Sequence, residues 1–146
     1  SLPSRAVAAV DFTPASVRAA EAAIDLMAEH GTLVLAHVKP KVNAAQPLLA
    51  DWERAYGQRV EELFGRLDGL LAERRPDVRI VRAVVVGDPA EQLLEVVARE
   101  EAELLATGTH GAGFVERVLV GSVATALLRR ATCMVLACQE PGAADV

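Results

Sequence analysis

Aromatic rings are scarce in this chain: 3% of its 146 residues, as three Phe, one Trp and one Tyr. Stacking platforms for single-stranded nucleic acid need a row of exposed rings, so that class is disfavoured. Positive charge is short as well. Lys and Arg number 15 against 20 Asp and Glu, a net charge of −5, which speaks against non-specific binding to DNA, RNA or anionic membranes. Two cysteines, Cys133 and Cys138, are too few for a disulfide framework. They stand five apart in an apolar run, so on a strand they face opposite sides and do not bridge each other. Reducing, cytoplasmic surroundings are the expectation. A charged-then-apolar leader is lacking, and so is any apolar run of about 18 residues, so neither secretion nor a membrane span is expected. The three histidines, His30, His37 and His110, show no ligand spacing among themselves, and no structural zinc is expected.

What the chain has in quantity is aliphatic side chain. The hydrophobic fraction is 52%, mostly Ala, Val and Leu. A core of small and branched aliphatics suits helices packed on a sheet. The length fits one domain over residues 1–146, with 1–4 and 140–146 expected to fray.

Short apolar runs alternate with amphipathic ones. "RAVAAVD" (Arg5–Asp11), "TLVLAHV" (Thr32–Val38), "VRIVRAVVVG" (Val78–Gly87), "ELLATG" (Glu103–Gly108) and "CMVLAC" (Cys133–Cys138) read as strands, the first two of the buried type. Between them lie four helical patterns. The first has Thr13 as N-cap, Pro14 as its first residue and Gly31 as its stop. The second, Asp51 to Arg75, carries a stripe of Val60, Leu63, Phe64, Leu67, Leu70 and Leu71. The third opens on Asp88-Pro89 and shows Leu93, Leu94, Val97 and Ala98 at helical spacing; the fourth is "SVATALLRRA". Alternating apolar strands and amphipathic helices imply an α/β fold: a parallel sheet covered by helices on both faces, three layers in all.

In such sheets ligands bind beyond the carboxyl ends of the strands, where strand order reverses. Two ends stand out: the first strand ends in Asp11, the fourth in Thr107-Gly108. The stretch that follows, "GTHGAGFVERVLVGSVATALL", is not GxxxxGK[ST], because it holds no Lys. It is not GxGxxG either, because Glu116 stands where the third glycine is needed. What remains is Gly108-x-x-Gly111, nine residues, then Gly121-Ser122 at a helix start. Gly108 and Gly111 permit sharp turns and close approach to a ligand. Gly121-Ser122 offers free N–H groups and a hydroxyl at the positive end of a helix, where an anion is favoured. Phe114, Val115, Val118 and Leu119 have the spacing of an apolar helical turn that docks on the body. A purely structural loop, with Ser122 as a helix cap, is the other reading of the same residues.

With "AAVDFTPAS" at the end of strand 1, "AHV" at the end of strand 2 and this glycine pattern, the chain resembles a universal stress protein domain over nearly its full length. The family's nucleotide signature is G-x2-G-x9-G-[ST], met in full by Gly108, Gly111, Gly121 and Ser122. The resemblance implies an adenine nucleotide alpha hydrolase-like sheet ordered 3-2-1-4-5. It implies binding of ATP, or of AMP, ADP or cAMP, with Mg²⁺ accompanying the phosphates. Asp11 would contact the nucleoside, Ala9 and Val10 would flank the adenine, and Val38 would pack on the base. Thr107, Gly108, His110 and Gly111 would line the ribose and phosphates, and Gly121, Ser122, Val123 and Ala124 would receive phosphate at the helix start. A homodimer through the final strand, Cys133–Cys138, is also implied. The chain departs from common family residues at Glu103, often Asp, and Met134, often Pro.

Other residues have plainer readings. His110 is a polar lining residue rather than a base, since no nucleophile lies near it in sequence. His30 falls at a helix C-terminus, where a cation is favourable. His37 belongs to core or pocket wall, Trp52 and Tyr56 to packing, and Arg99-Glu100-Glu101 to a solvated helix end. Three functions follow: a regulatory adenine-nucleotide-binding module, a slow ATPase or phosphoryl-transfer enzyme, or a ligand-free dimeric interaction module.

Overall fold

Strands and helices alternate along a computed structural model that describes residues 1–41, 49–109 and 121–140. The order is β1 (Arg5–Ala9), α1 (Pro14–Asp25), β2 (Thr32–Lys39), α2 (Leu49–Arg74), β3 (Arg79–Val86), α3 (Pro89–Arg99), β4 (Leu104–Gly108), α4 (Ser122–Arg130) and β5 (Met134–Cys138). The strands form one parallel sheet ordered β3-β2-β1-β4-β5, as the family resemblance implied. The chain builds outward from β1 through β2 to β3, then crosses to the other side for β4 and β5. The reversal therefore falls between β1 and β4, which pair from Ala6↔Leu104 to Ala8↔Ala106.

Two apolar layers hold the sheet. On one face α1 and α2 bury Ala19, Ala20, Ala23, Ile24, Met27, Phe64, Leu67 and Leu71 against Ala6, Ala8, Leu33, Leu35 and Leu104. On the other, α3 and α4 bury Ala90, Leu93, Val96, Val97 and Leu127 against Val7, Val34, Ala36 and Leu105. Alternate strand residues feed alternate layers, the period-2 rule of a strand covered on both faces. Alanines line the inner side of α1, and Phe64 and Met27 are among the largest side chains fully buried in that layer.

Helix starts match their sequence signals. Thr13 accepts a hydrogen bond from the Ser16 N–H before Pro14, and Asp88 accepts one from the Glu91 N–H before Pro89. Helix ends and stripes match less well. α1 stops at Asp25, not at Gly31, and His30 makes the left-handed turn at φ 61°. Gly31 answers a different need: a Cβ there would lie 2.8 Å from the Ser4 carbonyl oxygen. His30 lies five residues beyond the end of α1, and the guanidinium of Arg75 is what donates to the carbonyls there, to Ile24 and Met27 at 2.9 and 3.1 Å. β1 stops at Ala9 rather than Asp11, because Phe12 adopts φ 66° and turns the chain out of the sheet. Leu70 is 42% exposed, one residue off the face that carries Leu67 and Leu71. On α3, Val96 is buried where the sequence pattern pointed to Ala98. Glu100 is not merely solvated; it pairs with Arg5 at 2.9 Å.

Candidate functional site

At the end of β1, Val10 is buried and its N–H donates to the Ala36 carbonyl at 2.8 Å. Asp11 then emerges at the surface. Its Oδ1 accepts from the Thr13 N–H at 3.1 Å and the Thr13 hydroxyl at 2.5 Å, while its own N–H donates to Ser16 Oγ at 3.3 Å. The carboxylate is thus held by the turn that starts α1.

The end of β4 lies beside it. Thr107 is buried and its hydroxyl donates to the Gly108 carbonyl. Gly108 is required here by close approach, but the neighbour is protein. A Cβ at Gly108 would stand 3.0 Å from the Ala15 Cβ and 3.1 Å from the Ala15 carbonyl carbon and the Ser16 nitrogen. The sequence offered a turn or a ligand as the reason for this glycine; the start of α1 is the one observed.

Thr109 and Gly121 meet across the base of the glycine stretch. The Gly121 N–H donates to the Thr109 carbonyl at 2.5 Å, and the Thr109 N–H donates to Cys138 at 2.8 Å. Gly108 and Gly121, thirteen positions apart in sequence, are thereby brought to one place. α4 starts differently from α1 and α3. Gly121 is its N-cap residue and, being glycine, makes no side-chain cap hydrogen bond. Ser122 is the first helical residue rather than the cap, and it is exposed, while Ala124 is buried. The amides of Ser122, Val123 and Ala124 form the first turn, and such amides have no partner within their own helix. His110 and Gly111 lie outside the described residues, as do Phe114, Val115, Val118 and Leu119.

Val38 and Ala9 both pack toward the layer from which α4 springs. The backs of these strands carry a contact that the sequence reading missed. His37 is buried; its Nδ1 lies 2.8 Å from the Val10 carbonyl oxygen and its Nε2 lies 2.6 Å from the Tyr56 hydroxyl. Burial pushes the Tyr56 phenol above its ordinary range, so it remains a hydroxyl at neutral pH. Trp52 stacks on Tyr56 with centroids 5.0 Å apart, Phe12 lies 5.2 Å from the His37 ring, and Phe64 meets Phe12 edge-on at 5.0 Å. The i, i+4 spacing of Trp52 and Tyr56 signalled their packing together, but nothing local signalled the histidine.

Burial also raises the thiol pKa of both Cys133 and Cys138, which are unbridged and pack toward opposite layers as the strand spacing required. Among the described residues no group of three or more His, Cys, Asp or Glu is placed to hold a metal ion, and no helix is long and apolar enough to cross a membrane.

Comparisons with known proteins agree with this geometry. The model of the universal stress protein family matches residues 4–139. A universal stress protein of Mycolicibacterium smegmatis is 35% identical over 128 residues, covering 87% of this chain but 42% of that relative. The chain therefore spans less than half the length of that curated relative. Among solved structures, the universal stress protein UspA from Lactobacillus plantarum superposes with a TM-score of 0.79 at 18% identity, covering 92% of this chain and 96% of that one. A universal stress protein solved in complex with cAMP superposes with a TM-score of 0.72 at 21% identity, covering 96% and 99%. At those identities the two structures bear on the fold alone. With the family model spanning nearly all of the sequence and the sheet in the expected order, the chain belongs to the universal stress protein family.

Proposed function

We propose that the chain is a regulatory module that binds an adenine nucleotide across the carboxyl ends of β1 and β4. ATP is the first candidate, with ADP, AMP and cAMP as its relatives. The observation that carries this reading is the start of α4, where a glycine stands as N-cap and is tied through its N–H to Thr109, next to the end of β4. Backbone amides at a helix start hold phosphate without a cationic side chain. Asp11 would receive hydroxyl or amino hydrogens of the nucleoside, Ala9, Val10 and Val38 would border the base, and Thr107, Gly108, His110 and Gly111 would line ribose and phosphates. Ser122, Val123 and Ala124 would supply the phosphate amides. The cAMP complex of a similar fold supports the ligand class. Mg²⁺ would be held largely by phosphate oxygens and water, its usual mode with nucleotides, with the Ser122 hydroxyl as an available oxygen donor.

Binding, rather than fast turnover, is what these groups suit. Phosphoryl transfer needs a residue that orients a nucleophile, and the carboxylate just beyond β1, Asp11, is engaged by Thr13. A second copy joined through β5, in a reducing cytoplasmic setting, completes the proposal.

Calorimetric titration with ATP, ADP, AMP and cAMP tests it, with binding by at least one expected. Ser122→Pro sharpens the test. Proline is tolerated at the first helical position, and Gly121 already has the extended ψ of 169° that a following proline prefers. The variant should unfold at the wild-type temperature yet bind its nucleotide about tenfold more weakly, for loss of one amide on a charged phosphate. No heat with any of the four nucleotides would sink the reading.

A further inference from the structure

The parting of β1 from β2 is not left to chance. Pairing of these strands ends at Ala9↔Ala36, although β2 runs on beside β3 to Lys39. Because the Val10 N–H donates to the Ala36 carbonyl, the backbone groups of Ala36, and of Val38 two residues on, face β1. Regular parallel pairing would next give the Val10 carbonyl to the Val38 N–H. That carbonyl is taken by the His37 ring instead. We propose that His37 is a positioning residue that holds the base end of the crevice open by occupying the Val10 carbonyl, with Tyr56 fixing the tautomer this requires. The inference rests on the nucleotide reading above and names the device that shapes its base subsite.

The chemistry follows from donor and acceptor roles. A carbonyl oxygen only accepts, so His37 Nδ1 must carry the proton. In the neutral imidazole Nε2 then accepts, and the Tyr56 hydroxyl, 2.6 Å away, is the donor it needs. The ring cannot swing aside. Phe12 and Phe64 stand against it at 5.2 and 6.2 Å, and Tyr56 is itself stacked on Trp52. Four of the chain's five aromatic residues serve this one histidine. Phe12, at φ 66°, turns β1 away directly beyond the contact. Between the diverging strands the Val38 backbone is left facing the gap, on the side where a base would lie. Without a donor at position 37, the Val10 carbonyl is either unpaired or reaches for Val38 and narrows the gap. Both outcomes disfavour a base there.

The test compares wild type with His37→Leu, His37→Asn and Tyr56→Phe. Affinity for the best nucleotide is read by calorimetry, folding by thermal unfolding, and the His37 tautomer by nitrogen-15 NMR. His37→Leu should lose about tenfold or more in affinity. His37→Asn, whose amide N–H sits near the place of Nδ1, should recover to within about threefold of wild type, the margin left for imperfect hydrogen-bond geometry. Tyr56→Phe should fall between them and show a mixture of tautomers. Wild type should show Nδ1 protonated. The inference is overturned, with the nucleotide reading intact, if wild type binds and His37→Leu binds equally well, if the Asn and Leu variants lose equally, or if Nδ1 of wild type is unprotonated. If wild type binds no nucleotide, the broader reading fails and this one with it. Should His37→Leu not fold, Tyr56→Phe and the NMR spectrum decide: wild-type affinity and an unchanged tautomer in that variant would refute the role of the pair.

Discussion

Gly108 shows how one residue's reason can be hidden from the sequence. The signature marks it as part of a nucleotide loop, yet the atoms that exclude a side chain there belong to Ala15 and Ser16 at the start of α1. Two of those three contacts are backbone, which yields only if the helix moves. Gly108→Ala should therefore destabilise the fold by about 1–3 kcal/mol, the usual range for overpacking, as read from the midpoint of urea unfolding. A wild-type midpoint would mean that α1 shifts freely. Gly121 is the opposite case. That Gly121-Ser122 stands at a helix start was legible from the motif; that Gly121, not Ser122, is the N-cap came from the structure. Asp11 lies between the two: the resemblance gave it a contact with the nucleoside, and the structure ties its carboxylate to the N–H and hydroxyl of Thr13, the residue that caps α1.

Between elements, the ties are carboxylates that accept backbone N–H groups from distant segments. Asp77 accepts from the Arg75 guanidinium and from the His30 N–H, both at 3.0 Å, and these hold its carboxyl far below the usual carboxylate range. Glu103 accepts from the N–H groups of Ser4 and Arg5 and from the Ser4 hydroxyl, which lowers its pKa also. Asp25 is lowered chiefly by its hydrogen bonds to Arg74. In each the folded pKa lies below the unfolded one. The stabilisation is present above the ordinary carboxylate value near 4 and is lost as pH falls from there through the folded values. Urea midpoints should hold level from about pH 7 to 5 and decline below about pH 4. Asp77→Asn should lower the neutral midpoint and flatten part of that decline. An unchanged acid limb would show that Asp77 contributes nothing. Periodicity located the helices and strands these ties connect, because each pattern is local. The ties join residues up to 99 positions apart, so no local pattern announces them, and Glu103 in particular read only as a departure from a family preference.

For the whole molecule, layers were readable from alternation, but strand order came from the family resemblance. Periodicity cannot separate an edge strand from a central one when both are apolar. β3 and β5 form the two edges, as the resemblance implied, and Val84 and Met134 are 52% and 65% exposed. The β5 edge is the one proposed to pair with a second copy. The Met134 N–H donates inward to Glu103, so the N–H groups of Val135 and Ala137 face outward. Ala137→Pro removes an outward donor and leaves the ladder to β4 whole. Sedimentation should show a dimer in wild type and a monomer in the variant at micromolar concentration; a wild-type monomer would dispose of the pairing. The aromatic cluster has a use of its own at this scale. Trp52 is the chain's single tryptophan, and it is linked through Tyr56 and His37 to the Val10 carbonyl. Its emission is therefore a built-in optical gauge, free of any second tryptophan, of whether α2 still grips the edge of the crevice.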